Sequence, residues 1–250
     1  MAHERDILLI DDEEVVVSAM GKLLSLEGFQ CDGALTGKAG LDKLAKRRFG
    51  AILTDLMLPD ISGLELIEII VDRWPATPLI AMSGYATTEK AVETIRRGAF
   101  DFLPKPFDIE ELLGAIARAS RFAERSAADD GEPRLERRYR LGLHAWVELD
   151  RDGSVTLGAD VSFEGTIGAI TALELPIVNE ALSQGAVLAR VESDGLIHSV
   201  RSPLGGRVIE KNPALESNPG LLDSDPLFGG WLVRMIPTDL NGELEKLSKT

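Results

Sequence analysis

Five times in the first half of this chain a short apolar run is followed by a segment with helical spacing. "DILLI" leads into "EEVVVSAMGKLLSLEG", "FQCDGAL" into "GKAGLDKLAKRRFG", "AILTDLM" into "LELIEIIVDRW", "PLIAMS" into "TEKAVETIRRG" and "FDFLPK" into "DIEELLGAIARASRF". Apolar residues recurring every three to four positions bury one stripe of a helix, whereas a short continuous apolar run fits a strand covered on both faces. A parallel strand returns to its sheet only through a crossover, and a helix supplies one. The pattern therefore predicts an α/β domain with a doubly wound, five-stranded parallel sheet. Gly28, Gly50 and Gly98 fall just past the expected helix ends, where a left-handed residue costs least.

Beyond Phe122 the pattern changes. "AERSAADDGEPRLERRYR" is polar and interrupted by Gly131 and Pro133, and it reads as a linker whose first residues extend the last helix. Then come "HAWVELD", "SVTLG", "IGAITALELP", "AVLARVES", "IHSVRSP", "GGRVIEKN" and "GGWLVRMIP", short β-type runs separated by turn residues, with "PALESNPGLLDSDP" as a short helix and loop among them. This predicts a second, mainly β domain built as a sandwich or flattened barrel. The expected division is 1–122, a linker over 123–137, and 138–250.

Charge narrows the function classes. The net charge is -14, and both halves are acidic, with 20 acidic against 14 basic residues up to residue 122. Neither half offers the positive field that phosphate-backbone binding needs, so no nucleic-acid partner is expected. Arg134, Arg137, Arg138 and Arg140 read as a solvated linker cluster. No run approaches the roughly 20 apolar residues that span a bilayer, and "MAHERDILLI" lacks the order of a secretory signal, so no membrane association and a cytoplasmic location are expected. Cys31 is the single cysteine and has no partner for an internal disulfide.

Ligands of open α/β sheets sit at the carboxyl ends of the strands. Here those ends carry Asp11 and Asp12, Asp55, Ser83, and Lys105 followed by Pro106. Two carboxylates about 4 Å apart repel by roughly 4 kcal/mol at an effective dielectric near 20, so three in one cleft favour a divalent cation. Oxygen-only ligands with room for water suit Mg2+. Lys105 would offset the charge of an incoming phosphoryl group. The set describes phosphoryl transfer to a carboxylate, with Asp55 as the nucleophile.

"LIDDEE", "TDLMLPDISGLELI", "AMSGYAT" and "GAFDFLPKPF" resemble, in order and spacing, the receiver domain of bacterial two-component response regulators, over about residues 5 to 122. The resemblance implies a flavodoxin-like fold and a phosphoacceptor Asp55 served by a sensor histidine kinase or a histidine phosphotransfer protein. It implies Mg2+ on Asp12, Asp55 and the Met57 carbonyl, with Asp11 acting mainly through water. It also implies that Ser83 and Phe102 form the switch, that the Lys105–Pro106 bond is cis, and that a homodimer through the receiver is available. "GAFDFLPKPFD" is most similar to receivers attached to sigma-54-dependent ATPases, yet no G-x-x-x-x-G-K-[ST] loop occurs here.

The second half resembles the H protein of the glycine cleavage system, a lipoyl-carrying relative of biotinyl domains, over 138 to 248. That family carries its lipoyl lysine at a hairpin tip, in a segment of the form Val-Glu-Ser-x-Lys with Pro eight residues on. Val191, Glu192, Ser193 and Pro203 match, and the lysine position is Gly195. Glycine offers no amine for the lipoyl amide, so lipoate is not expected, and Lys211 lies beyond the second hairpin strand. With apolar Leu196 and Ile197 beside the glycine turn, residues Asp194 to His198 are expected to form part of a protein-docking surface whose exposure depends on Asp55 phosphorylation. His144 and His198 lack ligand partners at metal-binding spacing and read as surface or satisfied β histidines. Trp146 and Trp231 read as core. The expectation is a non-enzymatic, phosphorylation-controlled protein whose arm-less second domain docks a protein partner; the alternative is a lipoyl-type metabolic carrier regulated by its receiver.

Overall fold

A computed structural model of the chain describes residues 6–84, 87–125, 138–150, 152–160, 163 and 166–249. The chain divides into two units, the first holding a parallel sheet and the second two antiparallel sheets.

In the first unit β1 (Asp6–Ile10), β2 (Gln30–Ala34), β3 (Ala51–Asp55), β4 (Leu79–Ser83) and β5 (Asp101–Pro104) lie in the order β2-β1-β3-β4-β5, all parallel. The crossovers are α1 (Glu14–Leu26), α2 (Gly37–Leu44), α3 (Gly63–Arg73) and α4 (Thr88–Arg96), and α5 (Ile109–Arg125) follows the last strand. Every residue of β1, β3 and β4 is buried, which is why these runs are continuously apolar rather than alternating. The strand order reverses between β1 and β3, so their carboxyl ends open the crevice where such sheets bind ligands.

One helix end departs from expectation. Gly28 and Gly98 adopt positive φ, but Gly50 does not, and α2 stops at Leu44. Phe49 turns into the core, Arg47 lies 4.4 Å over its ring, and the same guanidinium pairs with Asp6 and Asp32 at 3.4 and 3.3 Å. Continuing the helix would forfeit these contacts. Gly50 instead leads into β3, donating its N–H to the Asp6 carbonyl at 2.8 Å.

A buried ion pair ties β5 to α5. The Arg118 guanidinium donates to Asp101, both residues only 2% exposed, and the other Asp101 oxygen accepts the Phe102 N–H at 2.7 Å.

The second unit holds β6 (Arg138–Leu141), β7 (Ala145–Leu149), β8 (Val155–Ala159), β9 (Ile170–Glu174), β10 (Ala181–Leu182), β11 (Val187–Ser193), β12 (Leu196–Arg201), β13 (Gly206–Lys211), β14 (Trp231–Pro237) and β15 (Ser248–Lys249); the larger sheet runs β10-β13-β14-β8-β7-β6-β15 and the smaller β12-β11-β9. Val147, Val155, Leu157, Val191, Val200, Val208, Val233 and Met235 form one core fed by both sheets. Three of these strands escaped the sequence reading: β6 (Arg138–Leu141), β10 (Ala181–Leu182) and β15 (Ser248–Lys249). β6 lies in the segment read as polar. It alternates, with Leu141 buried and Tyr139 packed on the core, and Arg140 pairs with buried Asp160 at 3.0 Å. Arg138 and Arg140 therefore belong to a strand and not to a linker, while Arg134 and Arg137 lie outside the described residues, as do residues 126–137 of the expected linker; residues 123–125 extend α5. "PALESNPGLLDSDP" forms two short helices, Pro213–Ser217 and Leu221–Ser224. His144 and His198 are buried, so neither is a surface residue. Trp146 is core and spans Gly158 on the neighbouring strand, where an added Cβ would fall 2.2 Å from the indole; Trp231 is only half-buried.

Removing Arg118 alone would strand a buried carboxylate. Arg118→Met is expected to cost about 3–5 kcal/mol, and the double change Asp101→Asn/Arg118→Met to recover most of it. Denaturant unfolding of the two variants beside the wild type measures both.

Candidate functional site

Strand geometry dictates what meets at the carboxyl edge of the parallel sheet. Asp11 continues β1, its N–H held by the Ala34 carbonyl at 3.1 Å, and it is 1% exposed. Asp55 ends β3 and is 7% exposed; Ser83 ends β4 and is fully buried. Lys105 follows β5 with its N–H on the Ser83 carbonyl at 2.8 Å, and the Lys105–Pro106 bond is cis. These backbone bonds extend the ladder one step past the strands, which fixes where each side chain starts.

The side chains then converge. Lys105 Nζ stands 2.6 Å from Asp11 Oδ2 and 2.5 Å from Asp55 Oδ2, joining residues 94 and 50 positions apart in sequence. The other oxygens of the two carboxylates accept backbone donors, Glu13 N–H on Asp11 at 3.0 Å and Met57 N–H on Asp55 at 2.6 Å. Burial alone would lower the proton affinity of Lys105, but the hydrogen bonds and charges of Asp11 and Asp55 outweigh it and hold its pKa above the ordinary lysine value. Asp12, on the same strand end, is exposed, as is Met57. Phe102 on β5 is buried, 1% exposed.

Among the described residues, no group of three or more His, Cys, Asp or Glu side chains is placed to hold a metal ion by itself. One or two carboxylates, a carbonyl and water nevertheless form the oxygen set that Mg2+ accepts. The edge supplies two converging carboxylates, an exposed third, and the Met57 peptide beside Asp55, so the donor chemistry fits a hard divalent cation.

In the second unit β11 (Val187–Ser193) and β12 (Leu196–Arg201) form a hairpin closed by the pair Ser193 and Leu196. The two turn residues, Asp194 and Gly195, have φ of 54° and 75°, the left-handed geometry of a two-residue hairpin turn and the reason an Asp-Gly pair stands there. A Cβ on Gly195 would meet nothing within 4 Å. Leu196 and Ile197 are half-buried. Lys211 is paired with Glu216 at 3.0 Å.

Residues 7–117 match the response regulator receiver domain family, and residues 138–250 the glycine cleavage H-protein family. The chain is a receiver domain followed by a glycine cleavage H-protein domain. Residues 7–117 are thus of the kind found in two-component response regulators. Its relatives include the response regulator protein FleR of Pseudomonas aeruginosa, 30% identical over 151 residues, covering 60% of this chain and 32% of that protein. The nitrogen assimilation regulatory protein NtrX of Azorhizobium caulinodans is 37% identical over 121 residues, 48% of this chain and 26% of that protein. The chain thus spans less than a third of these curated relatives. Among solved structures, the beryllofluoride-activated NtrC4 receiver domain dimer is 32% identical, covering 48% of this chain and 98% of that one, with a TM-score of 0.46. A glycine cleavage system H protein from Mycobacterium marinum is 28% identical, covering 42% and 86%, with a TM-score of 0.39. Among the described residues no helix is long and apolar enough to cross a membrane.

The receiver edge brings together Asp11, Asp55 and Lys105, and sets Ser83 at the adjoining strand end. Sequence reasoning missed the Asp101–Arg118 pair, whose only signal was a charged residue at the start of an otherwise apolar strand. It also missed Asp60, which reaches away from the strand ends to α2.

Because the folded pKa of Lys105 is raised, the stability its ion pairs supply is complete below the unfolded lysine pKa of about 10.4 and is lost as pH rises through the higher folded value. Lys105→Met should therefore melt below the wild type from pH 6 to 9, with the gap closing above about pH 10.5. Thermal melts across that range check it.

Proposed function

We propose that this response regulator accepts a phosphoryl group on Asp55 and that phosphorylation controls the H-protein domain as a docking or output module. The donor is a phosphohistidine of a sensor kinase or phosphotransfer protein. An Asp55 oxygen attacks phosphorus, the P–N bond breaks with its electron pair leaving on the imidazole, and an acyl phosphate forms. Support comes above all from the Lys105 ammonium shared by Asp11 and Asp55 at the switch point of the sheet.

Asp12, Asp55 and the Met57 carbonyl would hold Mg2+, with Asp11 acting through water; the ion supplies charge neutralisation between the carboxylate and the incoming anion. Lys105 holds Asp55 in place before transfer and passes to the phosphoryl oxygens after it. Ser83, at the end of the adjacent strand, donates its hydroxyl to the phosphoryl group, and Phe102 repacks beneath it. The face formed by α4, β5 and α5 carries that change outward, and it also serves receiver homodimerisation.

The H-protein domain acts in this reading without a lipoyl arm, because Gly195 occupies the lysine position of the hairpin tip. Its partner is a protein; the acidic charge of both halves disfavours nucleic acid. The protein works as a cytoplasmic phosphoacceptor rather than as a metabolic enzyme, over domains bounded near 1–122 and 138–250.

Incubation with a small acyl phosphate and Mg2+ should label the wild type at one site and leave Asp55→Ala unlabelled, read by intact mass. Equal labelling of the variant overturns the assignment. Co-expression with a lipoate ligase should leave the wild type unmodified, and the open space at Gly195 should let Gly195→Lys take the adduct. A lipoyl adduct on the wild type would instead establish the carrier alternative.

A further inference from the structure

The loop between β3 and α3 is fastened to a second element that the phosphorylation chemistry does not itself require. Asp60, in that loop, reaches across to the start of α2, accepting the Gly37 N–H on Oδ1 and the Lys38 N–H on Oδ2, both at 2.9 Å. Thr36 Oγ1 accepts the Ala39 N–H at 3.1 Å and the Thr36 carbonyl the Gly40 N–H at 3.1 Å. The N–H groups of the first three helical residues, which find no partner within the helix, are thus all satisfied, two of them by a residue more than twenty positions downstream. A carboxylate there is further favoured by the positive end of the helix dipole.

A separate apolar contact fastens the same two elements. A Cβ added at Gly37 would fall 2.2 Å from Ile61 Cγ2, 3.4 Å from Leu66 Cδ2 and 3.5 Å from Leu58 Cδ1. Ile61 and Leu58 flank Asp60 closely in the loop, so the helix start must be glycine for the loop to lie against it. Ile61 is β-branched, so turning its Cγ2 away costs a less favoured χ1 rotamer.

Between these anchors runs the Met57 peptide. Its N–H binds Asp55 Oδ1 at 2.6 Å, Met57 bridges Ser62, and Gly63 closes the loop with its N–H on the Leu56 carbonyl at 3.2 Å. A Cβ at Gly63 would sit 2.4 Å from Leu56 Cα, so the return is as tight as the backbone permits. A loop pinned at both ends has one remaining freedom, tilting about those ends, and the grip of α2 on Asp60 and Ile61 removes it.

We propose that Asp60 is a positioning residue: by clamping the first turn of α2 to the β3–α3 loop, it sets where the Met57 peptide stands beside Asp55 and so tunes cation affinity and phosphoryl acceptance. This rests on Asp55 being the phosphoacceptor. Asp60 is exposed and touches no reacting atom, so its removal should act through loop position and not through the fold.

The test uses the full chain, with Mg2+ alone followed by calorimetry and a small acyl phosphate followed by labelling rate. Asp60→Ala is expected to weaken Mg2+ binding by about fivefold, the scale of losing a helix cap. Its labelling rate should return towards wild type at saturating Mg2+, which a damaged fold would not do. Asp60→Asn, keeping one oxygen acceptor, should fall between the two. Gly37→Ala probes the same clamp from the helix side: alanine favours helix α2 itself, yet it should weaken Mg2+ binding by displacing Ile61. Wild-type Mg2+ affinity and labelling in both Asp60→Ala and Gly37→Ala overturn the proposal. A wild-type protein that neither binds Mg2+ nor takes label overturns the Asp55 reading, and the proposal with it.

Discussion

Two ionised carboxylates are not stable side by side away from water without a cation between them, and the receiver domain is organised around that constraint. Asp11 and Asp55 sit at neighbouring strand ends, nearly closed to water, where their mutual repulsion would otherwise cost several kcal/mol. Lys105 answers it from a third strand, at 2.6 and 2.5 Å. The Lys105 ammonium is thereby held between the two carboxylates.

Everything that keeps those three groups in register is backbone work. Parallel pairing fixes the strand ends, the N–H groups of Asp11 and Lys105 extend the ladder beyond them, and the Glu13 and Met57 N–H groups orient the carboxylates. The loop after β3 turns within contact distance of its own start, which is why Gly63 has no side chain. On the far strand, the buried Asp101–Arg118 pair binds β5 to α5 and holds the Phe102 backbone by the same carboxylate. Such a pair adds little net stability over an apolar match, but it tolerates one geometry.

The H-protein domain shows the opposite economy. Its hairpin is well formed, with a two-residue turn in the backbone conformation that Asp-Gly favours, and a Cβ at Gly195 would meet nothing within 4 Å. Fold and chemistry are separable here: the strands are specified by alternating core residues such as Val191 and Val200, none of which depends on what the tip carries.

The sequence by itself determined the architecture. Continuous apolar runs alternating with helical periods left one sheet type open to the first half, and turn-punctuated short runs did the same for the second, because burial on two faces, one face or one stripe leaves different spacings in the chain. The motif residues Asp11, Asp55, Ser83 and Lys105 were legible for the same reason, each being a polar residue at the end of an apolar run. What only the tertiary structure decided was partnership. That Lys105 serves both carboxylates, that Arg118 answers Asp101, that Asp60 caps a helix more than twenty residues behind it, and that "RYRL" is a paired strand rather than a linker end all depend on distances between segments far apart in sequence. Periodicity reports which face of an element is buried. It carries no information on which buried charge will stand opposite which.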